Sequence, residues 1–322
     1  MKRLVLVIVV FGLAAGAFYL RFTRLARPTA PPPQQTLTTS PDMPHDYVAQ
    51  PLVDPSERQS GPARILSMAP SVTELCAALG LADRVVGRTQ FCNYPPSVQQ
   101  AEIVGGYADP NLEKIVALRP DLILITTSSP RLRDKLAALH LSVKELPDST
   151  FDDVFVAIRL LGEYADRPRS AEALVRALQA DIDRLHAAPA ALPLRVLVVI
   201  GPLPTSPAPV YVAGPGSFLG RLVQLAGHHN ALAGRVDRPW AEISTETIVA
   251  AQPDAILEAR ADPAPGIFET IYQAWADFSS IPAIANRRIC SIPDESVLVP
   301  GPRVNISLYY VIDALSKAPP FQ

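Results

Sequence analysis

One stretch of this chain occurs twice. Residues 111–125 read NLEKIVALRPDLILI and residues 244–258 read STETIVAAQPDAILE. Eight aligned positions are identical: Glu113/Glu246, Ile115/Ile248, Val116/Val249, Ala117/Ala250, Pro120/Pro253, Asp121/Asp254, Ile123/Ile256 and Leu124/Leu257. Each copy spells a short helix, a Pro-Asp stop and a buried strand. The residue before a proline avoids the right-handed helical region, so Pro120 and Pro253 each end a helix. The match in register, with a glutamate near each helix start, predicts two structurally related lobes rather than one continuous sheet.

The surrounding texture is α/β from Arg64 onward. Strands are predicted at Arg64–Met68, Val85–Arg88, Asp121–Thr126, Leu141–Leu146, Arg195–Ile200, Val210–Ala213, Asp254–Glu258 and Arg288–Ile292. Helical patterns lie between most of them, which predicts parallel sheets with helical crossovers. Between the two lobes, Ala171, Leu174, Val175, Leu178, Ile182 and Leu185 share one helical face within Pro168–Ala187, and Pro189 and Pro193 follow. A single long helix is therefore expected to join the lobes.

Ahead of the lobes stand two segments of different character. Met1-Lys2-Arg3 precedes an uncharged apolar run, Leu4–Leu20, and Arg21, Arg24 and Arg27 follow it. As helix the run rises about 25 Å, the short end of a bilayer crossing. It reads as an export signal, with Ala15-Gly16-Ala17 as the small-residue cleavage site, or as a retained membrane anchor. No cysteine precedes Cys76, which excludes a lipidated N-terminal cysteine. Nine prolines then fall between Pro28 and Pro62, among Thr, Gln and Ser, so this segment is expected to be a disordered spacer. The expected division is 1–27 signal or anchor, 28–61 linker, 62–165 first lobe, 166–190 connecting helix and 191–322 second lobe. A spacer directly behind an apolar run suits a tether through residues 4–20.

Composition removes several functions. At 322 residues and 48% hydrophobic content the chain can bury large cores, and a net charge of -2 supplies no basic face for nucleic acid. The five histidines are scattered, or adjacent as His228-His229, and no CxxC or HxxxH occurs, so no metal site is expected. Three cysteines make no disulfide scaffold, although a Cys76–Cys92 bond is an alternative in an oxidising compartment. Gly214-Pro215-Gly216-Ser217-Phe218-Leu219-Gly220 resembles a dinucleotide fingerprint, but its spacing is too long and no acidic strand end follows, so it reads as a tight strand-to-helix turn. No nucleophile elbow or acid/base pair stands out, which leaves a two-lobed enzyme as a rival class without a visible centre.

Two sets of residues suggest a ligand site. Ser71 and Glu74 fit a capping box at a helix start that follows the first strand, where open α/β sheets bind ligands. Phe91, Tyr94, Tyr107, Tyr211 and Trp240 stand near strand ends or beside Pro and Gly. Taken singly each suits loop packing. Taken together, from both lobes, they suggest aromatic walls for a large, flat, partly apolar ligand.

The runs RILSMAPSVTELCAALGLADRVVGRTQFCNYPP, VGGYADPNLEKIVALRPDLIL, PWAEISTETIVAAQPDAIL and the terminal PGPRV resemble the substrate-binding proteins of ABC importers that are built on a helical backbone. That family includes receptors for cobalamin, ferric siderophores and haem, and the resemblance covers about residues 62–318. It implies a class III periplasmic-binding fold, with two Rossmann-like lobes joined by one long backbone helix and ligand held between the lobes. It implies a binding protein, not an enzyme, with no cofactor beyond the transported metal chelate. The cobalamin-binding pattern is the nearest, with ferric siderophore or haem as alternatives.

Ligand contacts implied by the resemblance are Phe91, Tyr107 and Trp240. Ser71, Tyr211 and Arg303 complete the expected ligand set. The glutamates that dock onto a permease dimer fall on Glu113 and Glu246. Departures are also present: Thr126-Thr127-Ser128-Ser129 replaces an aromatic that cobalamin receptors can carry, and Arg88, Arg238 and Arg303 would suit an anionic cargo. The expected protein is a periplasmic monomer that acts with an ABC permease at the inner membrane.

Overall fold

The computed structural model describes residues 43–186, 192–260, 266–292 and 294–317. The two copies of the repeat form the same object. The first gives helix α2 (Leu112–Ala117) and strand β4 (Leu122–Thr126); the second gives α7 (Thr245–Ala251) and β10 (Ala255–Ala259). Asn111 and Ser244 cap the two helices, accepting from the backbone N–H of Lys114 and Thr247. Arg119 and Gln252, the residues before the prolines, both turn left-handed, at φ 46° and 47°. The repeated aspartates then perform one task twice. Asp121 accepts from the backbone N–H of Arg64, and Asp254 from that of Arg195, at 3.0 and 2.9 Å. In return, the Asp121 and Asp254 N–H groups donate to the carbonyls of Arg64 and Arg195. Each Pro-Asp thus clamps its strand to the start of the neighbouring one.

Around the first clamp, β1 (Ile65–Ser67), β2 (Val85–Arg88), β3 (Glu102–Ile103), β4 and β5 (Val143–Leu146) form a five-stranded sheet in the order β3-β2-β1-β4-β5. Every pairing in it is parallel. Helices α1 (Pro70–Ala78), α2 and α3 (Pro130–Ala137) lie between strands in the chain. Leu66, Met68, Val104, Ile115, Ile123, Ile125, Leu132 and Leu136 form a buried core.

The second lobe departs from the all-parallel expectation. Its sheet runs β11-β10-β6-β7-β9, from β6 (Arg195–Ile200), β7 (Val210–Ala213), β9 (Trp240–Ile243), β10 and β11 (Ile289–Ser291), with β8 (His229–Asn230) also paired to β6. β6 pairs in parallel with β10, but β7 is antiparallel to both β6 and β9. The short segment between β6 and β7 contains no helix, so β7 returns as a ribbon. Helices α6 (Phe218–Leu225), α8 (Ile267–Ala274), α9 (Pro282–Ala285) and α10 (Val304–Ser316) complete this lobe. At its centre Trp275 is fully buried and donates from its indole N–H to the Pro204 carbonyl at 2.9 Å.

Two helices, α4 (Phe151–Tyr164) and α5 (Pro168–His186), carry the chain from one unit to the other. One unit runs to Asp148 and takes in Phe155–Arg176; the other holds Ser149–Val154 and the chain from Ala177. The expected long helix is therefore present, but it divides between the units at Arg176 instead of standing as a separate piece. Its predicted apolar face is buried at Ala171, Leu174, Val175, Leu178 and Ile182, with Leu185 only half-buried.

The linker needs a larger correction. Residues 1–42, with the apolar run and the first part of the proline-rich segment, lie outside the described residues. From residue 43 onward the chain is packed on the first lobe. Tyr47 and Val48 are buried, and Tyr94 donates its hydroxyl to Asp46. Glu57, only 6% exposed, caps α5 by accepting from the N–H groups of Arg169 and Ser170 and from the Ser170 hydroxyl, at 2.8, 2.9 and 2.6 Å. The buried Arg167 guanidinium reaches the carbonyls of Arg58 and Leu79, and Arg84 reaches those of Arg58, Ser60 and Pro62. Proline content misleads here because the segment is held by charged anchors from elsewhere in the lobe, not by its own apolar periodicity.

Candidate functional site

A parallel sheet delivers all its strand ends to one edge, and in the first lobe that edge collects the predicted residues. Phe91 follows β2, Tyr107 follows β3, and the two rings stack with centroids 5.5 Å apart and planes inclined by 12°. The stack is anchored beneath. Thr89 and Cys92 are fully buried and in contact at 3.1 Å. The Arg88 guanidinium donates from its two terminal nitrogens to the carbonyls of Thr89, Cys92 and Gln99, while its Nε–H has no hydrogen-bond partner among the described residues. Burial, with the nearby Cys92 and Asp148, drives the Tyr107 hydroxyl well above the usual tyrosine range, so the ring stays neutral.

Ser71 lies at the same edge, in the first turn of α1, and is itself buried. The capping-box reading fails there. Ala69 is the N-cap with no side-chain cap, Pro70 opens the helix, and the hydroxyl that accompanies the turn is that of Thr73, which donates to the Ala69 carbonyl and meets Ser67 at 2.6 Å. Cys76 and Cys92 are both free thiols, and burial pushes Cys76 up to about 12.

Sequence reasoning missed a polar group at this edge. Asp148, just beyond β5, accepts from the hydroxyls of Ser128 at 2.7 Å and Thr127 at 3.3 Å, which follow β4. Burial raises the Asp148 carboxyl above its ordinary value despite these donors. The available signal was the Pro147-Asp148 pair after a predicted strand, a position equivalent in edge to the aromatic loops.

The second lobe offers a strand face instead of loops. Ala213 pairs with Trp240 and Tyr211 with Glu242 across β7 and β9. Side chains alternate, so Tyr211, Trp240 and Glu242 share one face, while Val210, Val212 and Ile243 turn to the core on the other. Tyr211 and Trp240 are half-buried, and burial pushes the Tyr211 hydroxyl up to about 12. Arg303 stands apart from them at the N-terminus of α10, buried, with Asp294 3.6 Å away. Arg238 is exposed on the loop before Trp240. The Gly214–Gly220 run is a tight turn into α6, in which the Ser217 hydroxyl accepts from the Gly220 N–H.

Glu113 and Glu246 occupy matching places, each the second residue of its helix and each exposed. Both helices begin at the edge of their own sheet where the parallel strands end. A hydrogen bond from the Ser244 side chain holds the Glu246 carboxyl below its usual range.

Comparison with known proteins identifies the architecture. The model of the periplasmic binding protein family matches residues 65–296. This chain belongs to that family. A vitamin B12-binding protein of Pectobacterium atrosepticum is 30% identical over 204 residues, covering 61% of this chain and 71% of its own length. An uncharacterized ABC transporter substrate-binding lipoprotein of Bacillus subtilis, YvrC, is 28% identical and covers 76% of both chains. Among solved structures, the periplasmic heme-binding protein RhuT of Roseiflexus sp. RS-1 superposes with a TM-score of 0.65 at 24% identity, over 79% of this chain and all of its own. The fold is thus the two-lobed periplasmic binding protein with a long connecting helix, and the family is one of binding proteins, not enzymes.

Proposed function

We propose that this protein is the extracytoplasmic receptor of an ABC importer and that its cargo is a cobalamin-like corrinoid. The likeness to B12-binding and ABC substrate-binding relatives supports the class. One observation favours a corrinoid over a ferric siderophore or haem: the two buried arginines that would serve an anionic cargo are already engaged. Arg88 donates from both terminal nitrogens to three backbone carbonyls and Arg303 stands beside Asp294. The stacked Phe91–Tyr107 surface in one lobe, and Trp240 with Tyr211 in the other, each offer an apolar face that suits a large macrocycle. Calorimetry with cyanocobalamin, a ferric hydroxamate siderophore and haem decides the cargo. Cyanocobalamin is expected to bind, and binding of haem or the siderophore in its place overturns the corrinoid reading.

Delivery rests in this proposal on Glu113 and Glu246, which meet arginines of the permease dimer. Replacing either with Arg is expected to abolish permease binding and transport while ligand affinity stays unchanged, since a like-charge contact replaces a docking pair. A loss of ligand affinity in either variant rejects the docking role. Residues 1–27 carry the chain across the inner membrane, as a cleaved signal or as an anchor through residues 4–20. Mass analysis of the exported protein distinguishes the two.

A further inference from the structure

The polar group beyond β4 and β5 has a directional property. A serine or threonine hydroxyl has one proton and two lone pairs. The hydroxyls of Ser128 and Thr127 both donate that proton to Asp148. Their oxygens are then left with lone pairs only, as is the carboxylate. Thr126 joins the group, its hydroxyl 2.9 Å from that of Ser128. Thr127 is exposed, and Ser128 and Asp148 are half-buried, so the acceptors reach the surface of the lobe. The group also lies near the aromatic stack, because the Asp148 charge contributes to raising the Tyr107 hydroxyl. No described arginine or lysine forms an ion pair with Asp148.

From this geometry we infer that Thr127, Ser128 and Asp148 form an acceptor-only subsite that selects ligands with neutral amide donors at their periphery and rejects those with carboxylates. The inference rests on the corrinoid reading above and deepens it. A primary amide of the ligand donates both N–H groups to such a surface. A carboxylate in its place brings acceptor against acceptor and negative charge against negative charge at Thr127, Ser128 and Asp148. Specificity built this way is a repulsion as much as an attraction.

The test compares cyanocobalamin with its b-, d- and e-monocarboxylates, in which one peripheral amide has been hydrolysed, binding to the full chain. Wild type is expected to bind at least one of the monocarboxylates about tenfold or more weakly than cyanocobalamin. Asp148→Asn supplies a donor and removes the charge, so it is expected to narrow that ratio to about threefold or less. If Asp148→Asn fails to fold, Thr127→Val, at an exposed position, is expected to narrow the same ratio in the same direction. Equal binding of all four corrinoids by wild type overturns the subsite. So does a ratio that neither variant changes. Absence of cyanocobalamin binding altogether, with haem bound instead, overturns the corrinoid reading itself and this inference with it.

Discussion

The two lobes share a construction unit and differ in how they present side chains. In both, a capped helix, a left-handed residue, a proline and an aspartate clamp deliver a buried strand. In the first lobe every strand is parallel, and the candidate ligand residues emerge from loops or, for Ser71, a helix start at the strand ends. In the second, an antiparallel ribbon places Tyr211 and Trp240 on a strand face. Strands that helices cover on both faces can offer side chains to a ligand only at their ends. An antiparallel ribbon at the side of a sheet can bury one face and leave the other accessible. The same repeated scaffold therefore supports two routes to a binding surface, and the choice is made by the connection between β6 and β7.

The largest expected effect concerns a feature of the first lobe with no counterpart described in the second. Glu57→Ala leaves two backbone N–H groups and the Ser170 hydroxyl without their acceptor, at an expected cost of about 3 kcal/mol. Hydrogen exchange should show the loss of protection in β1 and the start of α5, with β6 and β10 retained; equal loss in both lobes would break the distinction between them. Next come the aromatic surfaces. Trp240→Ala and Tyr107→Ala are each expected to weaken corrinoid binding by about 2 kcal/mol, roughly thirtyfold, with a smaller effect on the melting temperature. Normal binding with a much lower melting temperature in both would make these rings structural.

The clamps sharpen the comparison further. Asp254→Ala is expected to cost about 1.5 kcal/mol and Asp121→Ala about 1, because only Asp254 also binds an arginine side chain. Burial raises the Asp254 carboxyl, but the hydrogen bonds from Arg195 together outweigh it and hold it below 3.8. A depressed carboxyl stabilises the fold above its unfolded value and loses that contribution as pH falls through its folded value. The Asp254→Ala penalty should therefore be constant from about pH 7 to about pH 5 and shrink below about pH 4. A penalty that grows in acid contradicts the clamp. The smallest expectation is for Glu113→Gln and Glu246→Gln, which should leave the melting temperature unchanged, since both side chains are exposed. A clear drop in either would show that the repeated glutamate serves the fold instead of docking.

Much of this architecture was legible in the chain. The strand at Val85–Arg88 is found at its predicted ends, and the long helix starts at Pro168 as its apolar face requires. Phe91, near a predicted strand end, and Tyr107, beside Gly106, are stacked. Short edge strands were not legible: Glu102–Ile103 and His229–Asn230 are two residues each, too short to carry a period. Trp240–Ile243 is a strand whose first residue follows a proline and reads as a loop.

What the sequence by itself determined is the part governed by local rules: two related units, the stops at Pro120 and Pro253, the amphipathic connecting helix and the aromatic set. Those follow from backbone sterics and hydrophobic period, which act over a few residues. Tertiary structure alone decided the rest. The segment from residue 43 is ordered because Arg84, Arg167 and the N-terminus of α5, all distant in the chain, supply its partners. Thr127, Ser128 and Asp148 become one acceptor surface because β4 and β5 pair in register. Hydrogen bonds between residues some twenty to one hundred positions apart are set by how the strands and helices pack, and no local period records them.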